Sequence, residues 1–315
     1  MRVSRRAVCA AALAGLVSGC GSKASGSFGS PSPSSSPALP GEGEAGGEGA
    51  MGQSSRSPSA SPVPKAPTKT FALSVRQLNL NRGADRPLRT LVWSPVGSGR
   101  FPLVLFSHGL HGTPEGYQGV AKRIAGAGFV VAAPAYPYTN GNSTAFNAGD
   151  MPNQPADAAQ VITDVLKSDL GAHIDAAKIG AAGHSAGGFT TAGMLSGKTR
   201  DSRLKAGIVI AGGQLNGAFT GPAATVLFVH GDKDPTVPYT SGRGAYDKVP
   251  WSKAFLTLLG GDHGSYLFGS GAAADATAKT MLDFLRWTLY GDAVARGRLK
   301  SDGTVAGAAK FESTF

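Results

Sequence analysis

Cysteine is nearly absent: of 315 residues only Cys9 and Cys20 carry a thiol, and both fall within the first twenty. The rest of the chain has no pair from which an intramolecular disulfide could form, so its fold has to be held by a hydrophobic core alone. Long apolar runs are absent too. The stretch over residues 7–17 is apolar throughout but too short to cross a bilayer. Although the net charge is +10, the basic residues are scattered and nowhere interleaved with aromatics, which excludes a nucleic-acid footprint. Attraction to an anionic envelope is left open. No group of His, Cys and Asp has metal-ligand spacing, so no metal is expected. Gly126 and Gly128 precede a strand-like segment instead of following one, so there is no dinucleotide loop and no cofactor is expected.

What is present at the start reads as an address. Arg2, Arg5 and Arg6 precede the short apolar run, the pattern of a removable export signal. That run closes on Val17, Ser18, Gly19 and Cys20, which resembles the bacterial lipobox. The resemblance implies cleavage after residue 19, a diacylglycerol on Cys20, and anchoring to the outer face of the bacterial cell membrane. Ser4, Arg5 and Arg6 faintly resemble a twin-arginine start, which leaves the export route open. Residues 21–70 are dominated by Ser, Pro and Gly with almost no large apolar side chain. Such a composition cannot bury enough surface to offset ordering entropy, and it reads as a flexible tether. The expected organisation is a signal over residues 1–19, a lipidated Cys20 with its tether over 20–70, and one domain over 71–315. The three signal arginines carry three of the ten net charges and the tether one, with four basic residues against three acidic; six remain on the domain.

The domain is long enough for a single α/β core. Residues 103–106, 129–133, 178–182, 206–211, 225–229 and 254–259 are short, apolar and rich in β-branched side chains. Between several of them lie helix-like stretches: 117–127, then 155–166 with Ala158, Val161, Ile162, Val165 and Leu166 at spacings of three and four. Strands alternating with helices predict a mostly parallel twisted sheet with helices on both faces. Residues 71–80 and 88–94 are expected to form an antiparallel edge pair, and 272–290 a last helix. Residues 212–224 are too few for a helical lid.

Gly183-His184-Ser185-Ala186-Gly187 follows one predicted strand and precedes a helix-like run. A nucleophile at such a turn sits in a strained backbone conformation and needs small neighbours, which Gly183 and Gly187 supply. Ser185 is the candidate nucleophile, at the N-terminus of a helix whose dipole favours negative charge. A serine hydroxyl also needs an imidazole, and a carboxylate to fix that imidazole's tautomer. Of the six histidines, His108 and His111 lie in the first strand's exit loop, His173 in a connection, and His184 in the elbow, expected to point away. His230 ends a strand and reads as a satisfied buried histidine. His263 alone follows the last predicted strand, and position makes it the base. Asp232 and Asp234 both follow the 225–229 strand and both remain open as the acid. The N–H of Ala186 is one oxyanion donor. Gly109 and Gly112 are expected to turn further N–H groups of their loop inward.

These residues together resemble the α/β-hydrolase superfamily over residues 101–290. Asp234-Pro235-Thr236-Val237-Pro238 resembles the acid loop of that superfamily, where the aspartate three residues before Val-Pro orients the histidine; the resemblance implies Asp234. Ser107-His108-Gly109-Leu110 resembles the His-Gly-X loop of esterases and implies Leu110 N–H as the second oxyanion donor. The lidless dienelactone-hydrolase-like, platelet-activating-factor-acetylhydrolase-like and bacterial cutinase-like groups are the most similar. The chain departs from cutinase-like enzymes in lacking their C-terminal disulfide and in carrying Ala186 where they have methionine. It departs from dienelactone hydrolases in using serine. The expected activity is hydrolysis of a small-molecule or polymeric carboxylic ester through an acyl-enzyme. A secreted peptidase of the same fold and a non-catalytic surface binding module are the alternatives.

Overall fold

The computed structural model describes residues 66–315; the expected signal, Cys20 and the tether up to residue 65 lie outside the described residues. The strands are β1 (Leu73–Asn81), β2 (Pro87–Pro95), β3 (Phe101–Ser107), β4 (Val130–Pro134), β5 (Ile174–His184), β6 (Leu204–Ile210), β7 (Thr225–Gly231), β8 (Lys253–Leu258) and β9 (Ala309–Ser313). They form one sheet in the order β1-β2-β4-β3-β5-β6-β7-β8-β9. The run from β4 through β8 is parallel, while β1, β2 and β9 pair antiparallel at the edges.

The central strands read as continuous apolar runs because both of their faces are covered. In β3, Val104 and Phe106 pack into a layer with Val120 and Ile124 of α1 (Gln118–Gly126), with Tyr266 and Leu267 of α5 (Ser265–Phe268), and with Phe284 and Leu285 of α6 (Ala272–Leu285). Leu103 and Leu105 face the other way, onto Val161, Ile162 and Val165 of α2 (Gln154–Lys167). Ala192 of α3 (Ala186–Gly193) and Ala245 of α4 (Tyr239–Lys248) complete that second layer. The period-2 alternation of one buried strand thus divides the molecule into two cores.

Three differences from the sequence reading have local causes. The 272–290 segment is not the last helix: α6 ends in a π-helical turn, Arg286–Tyr290, at the left-handed Gly291, and α7 (Ala293–Gly303) and β9 follow. Only Ala295, Leu299 and Gly303 of α7 are buried, so its apolar period is too weak to read. Its start is set by Asp292, whose carboxylate accepts from Val294 and Ala295 N–H at 3.0 and 3.1 Å. α4 hides behind Gly242 and Gly244, residues that count against a helix. Packing also begins before residue 71: Ala66 is buried and donates its N–H to Asp292 at 3.2 Å.

A buried charge cluster ties the β1–β2 turn to the segment that enters α2. Arg86 holds Asp150 with both Nη atoms (2.9 and 2.6 Å) and Asp157 through Nε and Nη2 (2.8 and 2.6 Å), while Arg82 adds a bond to Asp157 at 2.6 Å. Removing the shared guanidinium leaves two buried carboxylates beside each other with only Arg82 on Asp157 and the Asn153 amide on Asp150. Arg86→Ala is therefore expected to lower the unfolding free energy by about 3–5 kcal/mol, read as a shift of the urea midpoint at unchanged slope.

Candidate active site

The site lies along the C-terminal ends of the parallel strands, where an open α/β sheet gathers its loops. β3 exits into residues 108–112, β5 into Ser185, β7 into the loop carrying Asp234, and β8 into the loop carrying His263.

Ser185 sits between β5 and α3 with φ 59° and ψ −122°, a region rarely open to a side-chain-bearing residue. Its N–H donates to Ile210 O at 2.9 Å, and its own carbonyl accepts from Phe189 N–H at 3.0 Å. The turn is enforced by what surrounds it. A Cβ on Gly187 would lie 2.0 Å from Ser107 O, and one on Gly183 would lie 2.2 Å from Gly187 O. Only glycine lets β3, β5 and α3 approach this closely.

His263 and Asp234 meet. His263 Nδ1 donates to Asp234 Oδ2 at 2.7 Å, which leaves Nε2 as the ring's basic nitrogen. The carboxylate has no exposed side-chain surface. Its other oxygen accepts from Thr236 and Val237 N–H at 2.8 and 3.0 Å, and His230 Nε2 lies 3.3 Å from Oδ2 while also donating to Val237 O at 3.0 Å. Burial pushes the Asp234 carboxyl up, but the hydrogen bonds from His230 and His263 outweigh it and hold the group well below the usual carboxylate range. Asp232 goes elsewhere: its Oδ1 accepts from Gly260 N–H at 2.7 Å and braces the β8 exit. His230 is buried, as its place at a strand end suggested, yet it also steadies the acid, which no spacing in the sequence announces.

Ser185 and His263 are brought to the same edge without a direct hydrogen bond in this ligand-free arrangement; such bonds commonly tighten only on substrate binding. His184 lies between their loops. The elbow pattern suggested that it points away from the presented serine, yet the loop of the base reaches it. Its ring is buried 4.8 Å from that of His263, and its Nε2 bonds His263 O at 2.6 Å.

Of the two N–H groups expected as oxyanion donors, that of Ala186 follows the nucleophile directly and that of Leu110 lies in a loop that approaches it at Gly109. Ala186 N–H opens α3, whose first N–H groups have no partner within the helix. In the facing loop Gly109 N–H donates to Tyr117 Oη (3.1 Å) and His111 N–H to Thr139 O (2.9 Å); between them Leu110 N–H has no acceptor among the described residues. The glycines act differently from expectation. His111, at φ 58°, makes the left-handed turn. Gly109 is instead favoured by proximity, since a Cβ there would lie 3.1 Å from both Ser185 Cβ and Tyr117 Oη and would crowd them.

Around Ala186 lies a separate apolar cluster of Met151, Phe189 and Val237, with Leu110 and Leu215 packed against it. That they pack together is not visible in the sequence, because they come from five different loops and helices. The aromatic loop at 136–150 divides its roles. Tyr136 is fully buried on Ser107 (2.7 Å), Tyr138 reaches Asp85 O, and Phe146 alone is exposed, stacked on His111 with centroids 3.7 Å apart. A cavity of about 370 Å³ opens between that loop and the β2 edge, lined by Arg89, Tyr138 and Asn142 among others. It does not include Ser185, and the chemistry does not lie there. Among the described residues no group of three or more His, Cys, Asp and Glu side chains could hold a metal ion, and no helix is long and apolar enough to cross a membrane.

His108 and His184 are both buried beside the elbow, and burial pushes each down from 6.5 to about 4. The unfolded chain takes up these protons near pH 6.5, whereas the folded chain refuses them until about pH 4. Between those values the unfolded state binds more protons, so stability falls as pH falls. A loss of about 3 kcal/mol per histidine is expected by pH 4, measurable as urea midpoints at pH 7, 5.5 and 4.

Residues 65–221 match the sequence model of the chlorophyllase family, a span just short of half the chain that includes the 108–112 loop and Ser185 and ends before Asp234 and His263. No curated protein matches the chain.

Proposed function

From the chain's membership of the α/β-hydrolase superfamily, and of its ester-hydrolysing type by the chlorophyllase-family match, we propose that it is a serine carboxylesterase acting through Ser185, His263 and Asp234. The observation that carries this reading is the buried Asp234 bonded to His263 Nδ1 on the same sheet edge as a serine held at φ 59°. His263 Nε2 takes the Ser185 proton as Oγ attacks the acyl carbon. The oxyanion that forms accepts from Leu110 and Ala186 N–H. As the tetrahedral intermediate collapses, the C–O bond to the alcohol breaks and His263 returns the proton to the leaving oxygen. Water, deprotonated by the same imidazole, then releases the acid from the acyl-enzyme.

The pattern of residues 1–20 supports export and attachment through a lipid on Cys20, with the Ser/Pro/Gly-rich tether keeping the domain near an envelope surface. A membrane is then a partner through the anchor, and the substrate an ester that diffuses to an open site.

Met151, Phe189 and Val237 crowd together beside Ala186, with Leu110 and Leu215 against them, so the apolar space next to Ser185 suits a short acyl group. Hydrolysis of p-nitrophenyl acetate and butyrate by the full chain is expected to exceed that of the palmitate ester, and the matching anilides are expected to be cleaved far more slowly than the esters. Faster turnover of the anilides would support a peptidase instead. Absence of turnover on every ester would contradict the assignment.

A further inference from the structure

We propose that Tyr117 is a positioning residue: with His184 it forms a hydrogen-bonded strut that ties the oxyanion loop, the nucleophile turn and the loop of the base into one unit. The proposal rests on the reading of Ser185 and His263 as nucleophile and base.

The chain of bonds has a fixed direction. Gly109 N–H can only donate, and it donates to Tyr117 Oη at 3.1 Å. The phenol's own proton is then free to go to the ring nitrogen 2.8 Å away, His184 Nδ1. The His263 carbonyl, 2.6 Å from Nε2, can only accept, so the His184 proton sits on Nε2 and Nδ1 of the neutral ring accepts from the phenol. All links are sheltered: Tyr117 is 7 % and His184 5 % exposed. Each end of the strut adjoins a working group. Gly109 precedes Leu110, the oxyanion donor without an acceptor; His184 precedes Ser185; and the His263 carbonyl belongs to the base itself. His263 is consequently held twice, its ring by Asp234 and its main chain by His184. Burial keeps His184 neutral to about pH 4, which preserves the pattern because a protonated ring would have no use for a donor at Nδ1.

Tyr117→Phe removes one atom and keeps the ring contacts to Phe106, Phe268 and His184. On p-nitrophenyl butyrate, kcat is expected to fall about ten- to a hundredfold with KM nearly unchanged, the loss typical of sub-ångström to ångström misplacement. Tyr290→Phe is the comparison, since it too deletes a phenol hydroxyl, one that donates to the Gly128 carbonyl far from this edge. It is expected to lose stability without loss of kcat. Nitrogen-15 NMR of the full chain is expected to show His184 as the Nε2–H tautomer from pH 8 to 5, and to lose that signature in Tyr117→Phe. A Tyr117→Phe kcat within twofold of wild type, or an Nδ1–H tautomer on wild-type His184, would overturn the strut. Retention of hydrolysis by Ser185→Ala would overturn the esterase reading separately, and the tautomer would still decide the strut.

Discussion

Replacing Ser185 by alanine is expected to lower kcat/KM for p-nitrophenyl butyrate by about ten thousand- to a millionfold while leaving the urea midpoint almost unmoved. The residue is buried, but none of the bonds that hold its turn passes through Oγ. Its N–H to Ile210 O and its carbonyl to Phe189 N–H are main-chain bonds. Alanine also relieves nothing: the residue still has to occupy φ 59°, so the variant isolates the nucleophile from the turn. The residual rate has a physical source as well, because the proposed donors, Leu110 and Ala186 N–H, are untouched by the substitution, and oxyanion donors plus binding alone are worth about a thousand- to ten thousandfold over water.

The second large effect separates two aspartates that are almost neighbours. Asp234→Asn is expected to cost about ten thousandfold in kcat, and Asp232→Asn very little. The reason is the direction of hydrogen bonds. An asparagine at 234 keeps its Oδ1 on Thr236 and Val237 N–H, which turns its –NH₂ toward His263 Nδ1. That nitrogen must then accept, the ring proton moves to Nε2, and Nε2 can no longer take the proton of Ser185. At position 232 the carboxylate only braces Gly260 N–H, a bond an amide oxygen can also accept. Comparable losses in both variants would mean that the acid loop acts as a whole and that Asp234 has no special role.

The parts of this site that were legible in the sequence are those whose chemistry demands a particular residue at a particular spacing. The elbow is one: close passage of β3, β5 and α3 admits only glycine at 183 and 187, so the pattern is visible in five letters. The parallel series from β4 to β8 is another, because strands buried on both faces are written as apolar runs. What was not legible depends on partners distant in the chain. Tyr117 and His184 are 67 positions apart, and nothing in either neighbourhood marks them as bonded. The apolar cluster beside Ala186 draws one residue from each of several segments. β9 pairs with β8 through Ala309–Ser313, a segment with two charged side chains whose strand character comes from its neighbour and hardly from its own composition. The role of His184 is hidden for a related reason: period-2 alternation along β5 turns it from the presented face, but the His263 loop folds down to meet it.

The central claim is that Ser185 is an activated nucleophile. Its most direct test is reaction of the full chain with a fluorophosphonate, followed by mass spectrometry of the modified peptide. A single adduct is expected on Ser185, absent from Ser185→Ala and slowed in Asp234→Asn. No adduct on the wild-type chain, or one that persists after Ser185 is replaced, would contradict it.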